Sequence, residues 1–395
     1  MERSEKEALL GEIYIPSYPI QLKQFFSGRG PQLVKAMSII NMKGLQGIIY
    51  GDRGVGKTSF SNILKIIYQS DSCQVVKVSC NLQDTFPYLW YNILSQLSVS
   101  KETINNTIGY RPKNEVYKET IPLTELVDSN NITVVTIQRA LSKISGSAVV
   151  IIDEFDRLDD EFFDKKLFTD FIKSLSDSIP HVTLLIIGVS EDVSSLIQGH
   201  ESIERNLSQI YMPVMTPAEI TEIVKKGEEP LDIYFTEPAL EMIIKLSSGY
   251  PHFAHSLCYY SANIAISANL NKIGIDVLKM AIQETINNTQ ESLKNGYRIA
   301  TLATKQNIFK EVLFAASMCP TDEYGYFQAN DLQPLLTNLL KKEVKVNNFT
   351  FHLGKFCSDE RGDILKTAGS KNRQKYKFKN PLMKAFVRLN STNNI

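Results

Sequence analysis

The stretch 45-LQGIIYGDRGVGKTSFSNIL-64 decides how this chain is read. Leu45 to Tyr50 reads as a strand whose closing run, Ile48-Ile49-Tyr50, ends abruptly in glycines, and Phe60, Ile63, Leu64 and Ile67 then recur at helical spacing. Glycines give up the most backbone freedom on ordering, so a cluster of them between a strand and a helix needs a local reason. The spacing G-x-x-x-x-G-K-[ST] supplies one. Gly51, Gly54 and Gly56 let backbone N–H groups turn inward as a nest for phosphate oxygens. Lys57 offers a mobile point charge, Thr58 a hydroxyl ligand for Mg²⁺, and the helix that follows presents its N-terminus to the anion. The candidate phosphate-binding residues are Gly51, Asp52, Arg53, Gly54, Val55, Gly56, Lys57, Thr58 and Ser59. Gly47 is a weak point in the strand, tolerable where another backbone approaches closely.

A phosphate loop calls for a second site that holds the metal and activates water. The segment 147-SAVVIIDEFDRLDD-160 provides it, because Val149 to Ile152 end in Asp153-Glu154 at the carboxyl end of a strand, where ligands of open α/β sheets bind. Asp153 is the candidate metal ligand, acting with Thr58, and Glu154 the candidate general base. Asp156, Asp159 and Asp160 read as surface or salt-bridge residues. Further β-rich runs at 74-QVVKVSCN-81, 181-HVTLLIIGVSED-192 and 207-LSQIYMPVM-215 complete five strands with helical patterns between them. That pattern predicts a three-layer α/β sandwich. Residues 100 to 132, polar and rich in Asn, Thr and Lys, read as a loop-rich insertion with one short helix.

The rest of the chain bounds the function. A length of 395 residues predicts more than one domain, and equal totals of 43 basic and 43 acidic residues leave no global field to attract nucleic acid. The start, MERSEKEALLGEIY, has no signal-peptide core, and no apolar run of about 18 residues predicts a membrane span. Cys73, Cys80, Cys258, Cys319 and Cys357 are scattered without a CxxC pair, which argues against zinc and disulfides and for a reducing cytoplasm. Asn271-Lys272-Ile273-Gly274 lacks the aspartate that would pair with guanine, and no LSGGQ segment occurs, so ATP is favoured over GTP.

Over roughly residues 20 to 300 the sequence resembles AAA+ ATPases, specifically the clade joining origin-recognition initiator-like proteins with STAND regulatory ATPases. The segment 25-FFSGRGPQL-33 is similar to one that lies near the adenine in that clade, which implies a cofactor contact from Arg29. The resemblance implies the Walker A and Walker B roles for Lys57, Thr58, Asp153 and Glu154, and a polar sensor at Ser190. In 200-HESIERNLSQIYMP-213, Arg205 stands where the family carries an arginine finger; the alternative is a helix-surface pair with Glu201 or Glu204. Thr216-Pro217-Ala218-Glu219 reads as a capping box opening an all-helical region. There 248-SGYPHFAHSL-257 resembles the Gly-x-Pro segment whose residues approach the nucleotide, implying a contact from Pro251. Initiator-type relatives usually place an arginine nearby. This chain has His252 and His255, either of which fits equally as a packing residue. The implied architecture is an N-terminal arm (1–24), an AAA+ αβα phosphate-loop domain (25–215), a helical lid (216–300) and a C-terminal winged-helix-like domain (301–395).

At the C-terminal end, 308-IFKEVLFAA-316 and 332-LQPLLTNLL-340 predict short helices, with a third within 349–365. The segment 374-QKYKFKN-380 alternates with period two, as a strand with Tyr376 and Phe378 turned inward. Asn380-Pro381 then caps a closing helix running through Val387. From Arg361 onward nine basic residues stand against one acid, Asp363. Such a strip, with Lys371, Arg373 and Lys375 at its centre, fits either contact with duplex DNA phosphates or an edge strand kept soluble by lysines. Two functions follow. One is an ATP-hydrolysing, cytoplasmic AAA+ switch that homo-oligomerises in the ATP state on DNA or a partner protein. The alternative is a STAND-like signalling ATPase that controls a separate effector protein without binding DNA. A scaffold without turnover is disfavoured by Glu154.

Overall fold

In the computed structural model, the residues described are 3–16, 26–106, 114–189, 205–302, 307–322, 325–370 and 373–392. The centre is a parallel sheet of β1 (Gln46–Tyr50), β2 (Cys73–Ser79), β5 (Ser147–Asp153), β6 (Val182–Gly188) and β7 (Leu207–Tyr211), in the order β2-β5-β6-β1-β7. The central strands β5 and β6 are covered on both faces, and that is why they read as near-continuous apolar runs. Successive side chains still point to opposite faces. Ile49, Val149, Ile151 and Ile187 pack on the side of α2 (Gly30–Asn41) and α3 (Lys57–Tyr68). Ile48, Val150, Ile152 and Ile186 pack on the side of α4 (Phe86–Gln96), α5 (Val134–Leu141) and α6 (Lys165–Ser178). The fold is the predicted three-layer αβα sandwich.

Two expectations differ in detail. The polar stretch expected as loops forms β3 (Ser98–Asn106) and β4 (Asn114–Pro122), an antiparallel pair from Ser98↔Pro122 to Asn106↔Asn114, followed by a short 3₁₀ turn at Leu123–Leu126. Backbone pairing joins the two strands along their length, and at the base Ile121 is buried and Val99 packs on the core. At Gly47 the nearest approach is by side chains rather than by backbone. A Cβ there would meet the side chain of Leu185, on the adjacent strand, at 2.7 Å.

Beyond the sheet comes a helical lid. It comprises α7 (Pro217–Lys226), α8 (Glu228–Leu231), α9 (Glu237–Ser247), α10 (Pro251–Ser267), α11 (Ile275–Asn287) and α12 (Glu291–Thr301), with a two-residue bridge between β8 (Tyr234–Phe235) and β9 (Lys272–Ile273). The capping box expected from sequence forms at α7: Glu219 N–H donates to Thr216 Oγ1 at 3.3 Å, and Thr216 N–H to Glu219 Oε2 at 2.9 Å. The N-terminal helix α1 (Arg3–Ile13) lies on this lid. Lys6 pairs with Asp232 at 3.1 Å, and the Tyr14 hydroxyl donates to Val224 O at 2.5 Å.

The C-terminal part is winged-helix-like. Helix α13 (Phe309–Met318) leads to β10 (Phe327–Gln328), then α14 (Ala329–Leu340) and α15 (Thr350–Phe356), then β11 (Leu365–Ala368) and β12 (Lys375–Phe378); the strands form an antiparallel sheet in the order β10-β12-β11, and α16 (Pro381–Thr392) closes the region. Helix α16 runs five residues past the expected end at Val387. Tyr376 and Phe378 face inward as expected, but Lys377 is buried too. Its ammonium is not displayed to solvent because it reaches the phosphate loop, as described below. Among the described residues no helix is long and apolar enough to cross a membrane.

Candidate nucleotide site

The phosphate loop needs its glycines for different reasons. Gly51 has φ 152°, and a Cβ there would sit 2.3 Å from Met212 O, inside the backbone of the segment after β7. Gly54 has φ 85°, and its Cβ would meet Leu382 Cδ2, on α16, at 2.8 Å. The first glycine allows the loop to leave the sheet; the second lets the C-terminal helix close onto the loop. Lys57 is buried, and its Nζ donates to Gly51 O and Asp52 O at 2.8 Å each. Burial pulls its ammonium down to about 8, with the charges of Asp156, Asp153 and Asp52 opposing. A desolvated cation held by its own loop's carbonyls is poised to exchange them for an anion.

Asp153 ends β5 and is 2% exposed. Its Oδ1 accepts from Glu154 N–H at 2.9 Å. Its Oδ2 lies 3.1 Å from Lys77 Nζ, within ion-pair range but without the alignment of a hydrogen bond, and so has no hydrogen-bonding partner. Glu154 takes the left-handed conformation at φ 56°, and its Oε2 accepts from Arg157 Nη1 at 2.7 Å. Asp156, expected as a surface residue, lines the same cavity, and its Oδ1 accepts from Val189 N–H at 2.6 Å, joining the ends of β5 and β6.

Sequence reasoning missed Lys77. It rises from the middle of β2, donates to Asn62 Oδ1 at 2.7 Å and Thr58 O at 3.3 Å, and supplies the charge beside Asp153. A lysine within a strand buried on both faces was the available signal, because such a charge needs a partner.

Gly54, Lys57, Thr58, Asp153, Glu154 and Asp156 line one cavity of about 650 Å³, within the range of small-molecule sites. Arg29 enters it from the loop before α2. Its Nη2 donates to Val55 O at 2.7 Å, while its buried Nε and Nη1 have no partner. The Arg29 N–H donates to Glu219 Oε1 at 2.7 Å, so the residue that caps α7 also ties the lid to this loop. Pro251, His252 and His255 complete the wall from α10, facing Ile15 and Pro16 of the N-terminal segment. Asp52, Arg53 and Ser59 keep the places given by the motif; Ser59 and Arg53 line the cavity, whereas Asp52 turns away from it.

Other expected residues lie elsewhere. Ser190, Lys371, Glu201 and Glu204 fall outside the described residues, so the alternative pairing of Arg205 is not described. Arg205 itself is exposed just before β7, and since Leu207 pairs with Gln46 at the start of β1, it sits at the opposite end of the sheet from the phosphate loop. It cannot reach its own chain's cavity. The basic C-terminal strip is mostly engaged internally. Lys375 pairs with Asp322 at 2.8 Å, Lys379 with Asp363, and Arg388 donates to Ser317 O and to Lys245 O. Arg361 stacks on the Phe309 ring at 4.0 Å. Lys377 Nζ lies 3.2 Å from Asp52 Oδ1, in the phosphate loop. Arg373 is exposed.

Comparison with known proteins gives one family match, to the AAA domain, over residues 42–196. An ORC1-type DNA replication protein of Haloarcula marismortui is 24% identical over 249 residues, 59% of this chain and 54% of that protein. The chain thus spans about half the length of this curated relative. In fold it is similar to a Walker-type ATPase of Pyrococcus abyssi, with TM-score 0.54, 12% identity and coverage of 94% and 99% of the two chains. It is also similar to the Aeropyrum pernix ORC2 protein, solved as ADPNP–ADP complexes, with TM-score 0.52, 14% identity and coverage of 97% and 98%.

Proposed function

With an AAA domain at residues 42–196 and the fold of initiator-type AAA+ proteins as premises, we propose that this chain binds and hydrolyses ATP and uses the bound state to control assembly. Lys57 and the loop N–H groups hold the phosphates, and Arg29 and Pro251 close over the nucleotide. The Oδ2 of Asp153, ion-paired with Lys77 at 3.1 Å but without a hydrogen bond, shares the cavity with Thr58 and fits a Mg²⁺ ion held by these two residues and the nucleotide. The metal, when bound, neutralises charge on the phosphate oxygens. Glu154 takes the proton from water once it leaves Arg157, and Ser190 orients the γ-phosphate or water. Arg205, at the far end of the sheet, serves the cavity of a neighbouring copy.

One observation carries the switch. The loop that holds phosphate also holds the C-terminal region, through Asp52–Lys377 and through Leu382 on Gly54. A loop that reshapes around nucleotide therefore changes both contacts. The target is a partner protein or DNA. The internal engagement of the basic strip favours the second reading, a separate effector protein, over a duplex laid along Arg373 and Lys375. Mass photometry with ATP and with ADP, each with and without duplex DNA, tests both. Assembly with ATP and indifference to DNA is expected; a chain that stays monomeric in every condition contradicts the proposal.

The contact itself is testable. Lys377→Met leaves Asp52 without its partner and is expected to cost roughly 1–3 kcal/mol of stability in chemical denaturation. Asp52→Asn with Lys377→Met should cost less than the two changes summed. Strict additivity would show that the two regions are not coupled through this pair.

A further inference from the structure

Of the cavity-lining side chains with buried polar atoms that lack a hydrogen bond, Ser27, Arg29, Asp153 and His255, only His255 has no hydrogen-bonding partner at either ring nitrogen and stands on the lid. His255 is 4% exposed, and neither Nδ1 nor Nε2 meets a hydrogen-bonding partner. Burial pulls its imidazole down to about 4, with His252 adding to the effect, so at neutral pH the ring is uncharged and holds one donor and one acceptor. Native proteins leave few such groups unsatisfied, and each needs an explanation. Packing alone does not give one, since phenylalanine or methionine would fill the space without the polar atoms. His252, the neighbouring candidate, is already engaged: its Nδ1 is 2.8 Å from Pro16 O.

The position of His255 on α10 indicates what it faces. Pro251 opens that helix, and its Cγ lies 3.7 Å from where a Cβ on Gly56 would be, at the passage from the phosphate loop into α3. His255 is four residues on, on the same helical face and about 6 Å further along the axis. Its neighbours there are Tyr14, with ring centroids 6.3 Å apart, and the apolar wall of Ile15, Pro16 and Ile223. A polyphosphate in the glycine nest would lie at the Pro251 end of α10, and the cavity continues past it to His255, leaving that side for the rest of the ligand.

We propose that His255 binds the nucleoside half of the nucleotide, one ring nitrogen hydrogen-bonding to the base or sugar, and so makes the lid a reader of nucleoside rather than of phosphate. This rests on the nucleotide reading above and adds a recognition residue to it. The test is calorimetric binding of ATP, ADP and inorganic tripolyphosphate to the full chain, to His255→Phe and to His255→Met. Loss of one buried hydrogen bond should weaken ATP and ADP about tenfold and leave tripolyphosphate unchanged. The empty variants should melt at the parent temperature or above, since the unpartnered nitrogens are gone.

Either variant binding ATP as tightly as the parent overturns the proposal. Equal weakening of tripolyphosphate does too, because it marks a displaced lid. So does destabilisation of both empty variants, which makes His255 a packing residue. If the parent binds tripolyphosphate as well as ATP, this inference fails and the phosphate site stands; if it binds neither, the nucleotide reading itself falls.

Discussion

Glu154→Gln is expected to keep ATP bound and to slow its hydrolysis by about 10²–10⁴-fold, the usual contribution of a positioned general base. The amide matches the carboxylate in shape, so the backbone should not move. That matters here, because Glu154 is held at φ 56°, a conformation that costs a non-glycine residue about 1–2 kcal/mol. The Asp153 carboxylate, accepting from the Glu154 N–H at 2.9 Å, helps to fix it. The geometry aims the side chain into the cavity opening, where Arg157 now holds it at 2.7 Å. Single-turnover hydrolysis and equilibrium ATP binding, measured on the same preparation, separate the two effects. Turnover within a few-fold of the parent would remove Glu154 from the chemistry, and lost binding would mark a structural defect instead.

Lys57→Met is expected to weaken ATP by about 10²-fold or more, because truncating one partner of a buried charge pair costs roughly 2–5 kcal/mol. The empty protein should behave differently. Lys57 lies buried, its ammonium pulled down by desolvation against the charges of Asp156, Asp153 and Asp52, and its hydrogen bonds go to two loop carbonyls. Methionine keeps the stem and removes the buried charge, so the ligand-free variant should melt within a few degrees of the parent. Thermal unfolding with and without MgATP reads both quantities. A nucleotide-induced rise in melting temperature that survives the substitution would refute the phosphate assignment. A collapse of the ligand-free protein would make the lysine a structural residue.

Several features were legible in the sequence because their causes are local. The phosphate loop is one: its glycines answer to backbone geometry over a few residues, and Lys57 and Thr58 follow from the spacing. The two-faced burial of Val149–Ile152 shows in an unbroken apolar run, and Asp153 follows as the residue at its end. The Thr216–Glu219 box is likewise contained within four consecutive residues. The paired strands Ser98–Asn106 and Asn114–Pro122 were not legible, because a two-stranded ribbon is specified by the partner across the ladder, and polar residues carry no periodic mark of that.

The candidate site divides the same way. Sequence alone determined that this chain carries a strand–loop–helix cradle for phosphate and a carboxylate pair at the end of a neighbouring strand, since chain connectivity fixes both within short segments. Only the tertiary structure decided that Lys77 stands beside Asp153, that Lys377 turns inward to Asp52 rather than outward, and that His255 lies buried on the cavity wall with unpartnered nitrogens. Lys377 and Asp52 are 325 positions apart, and Lys77 and Asp153 share only a strand register. The environment of a charged or polar side chain is set by whatever packs against it, and even where a segment shows that a partner is needed, as Lys77 in its strand does, it does not name that partner.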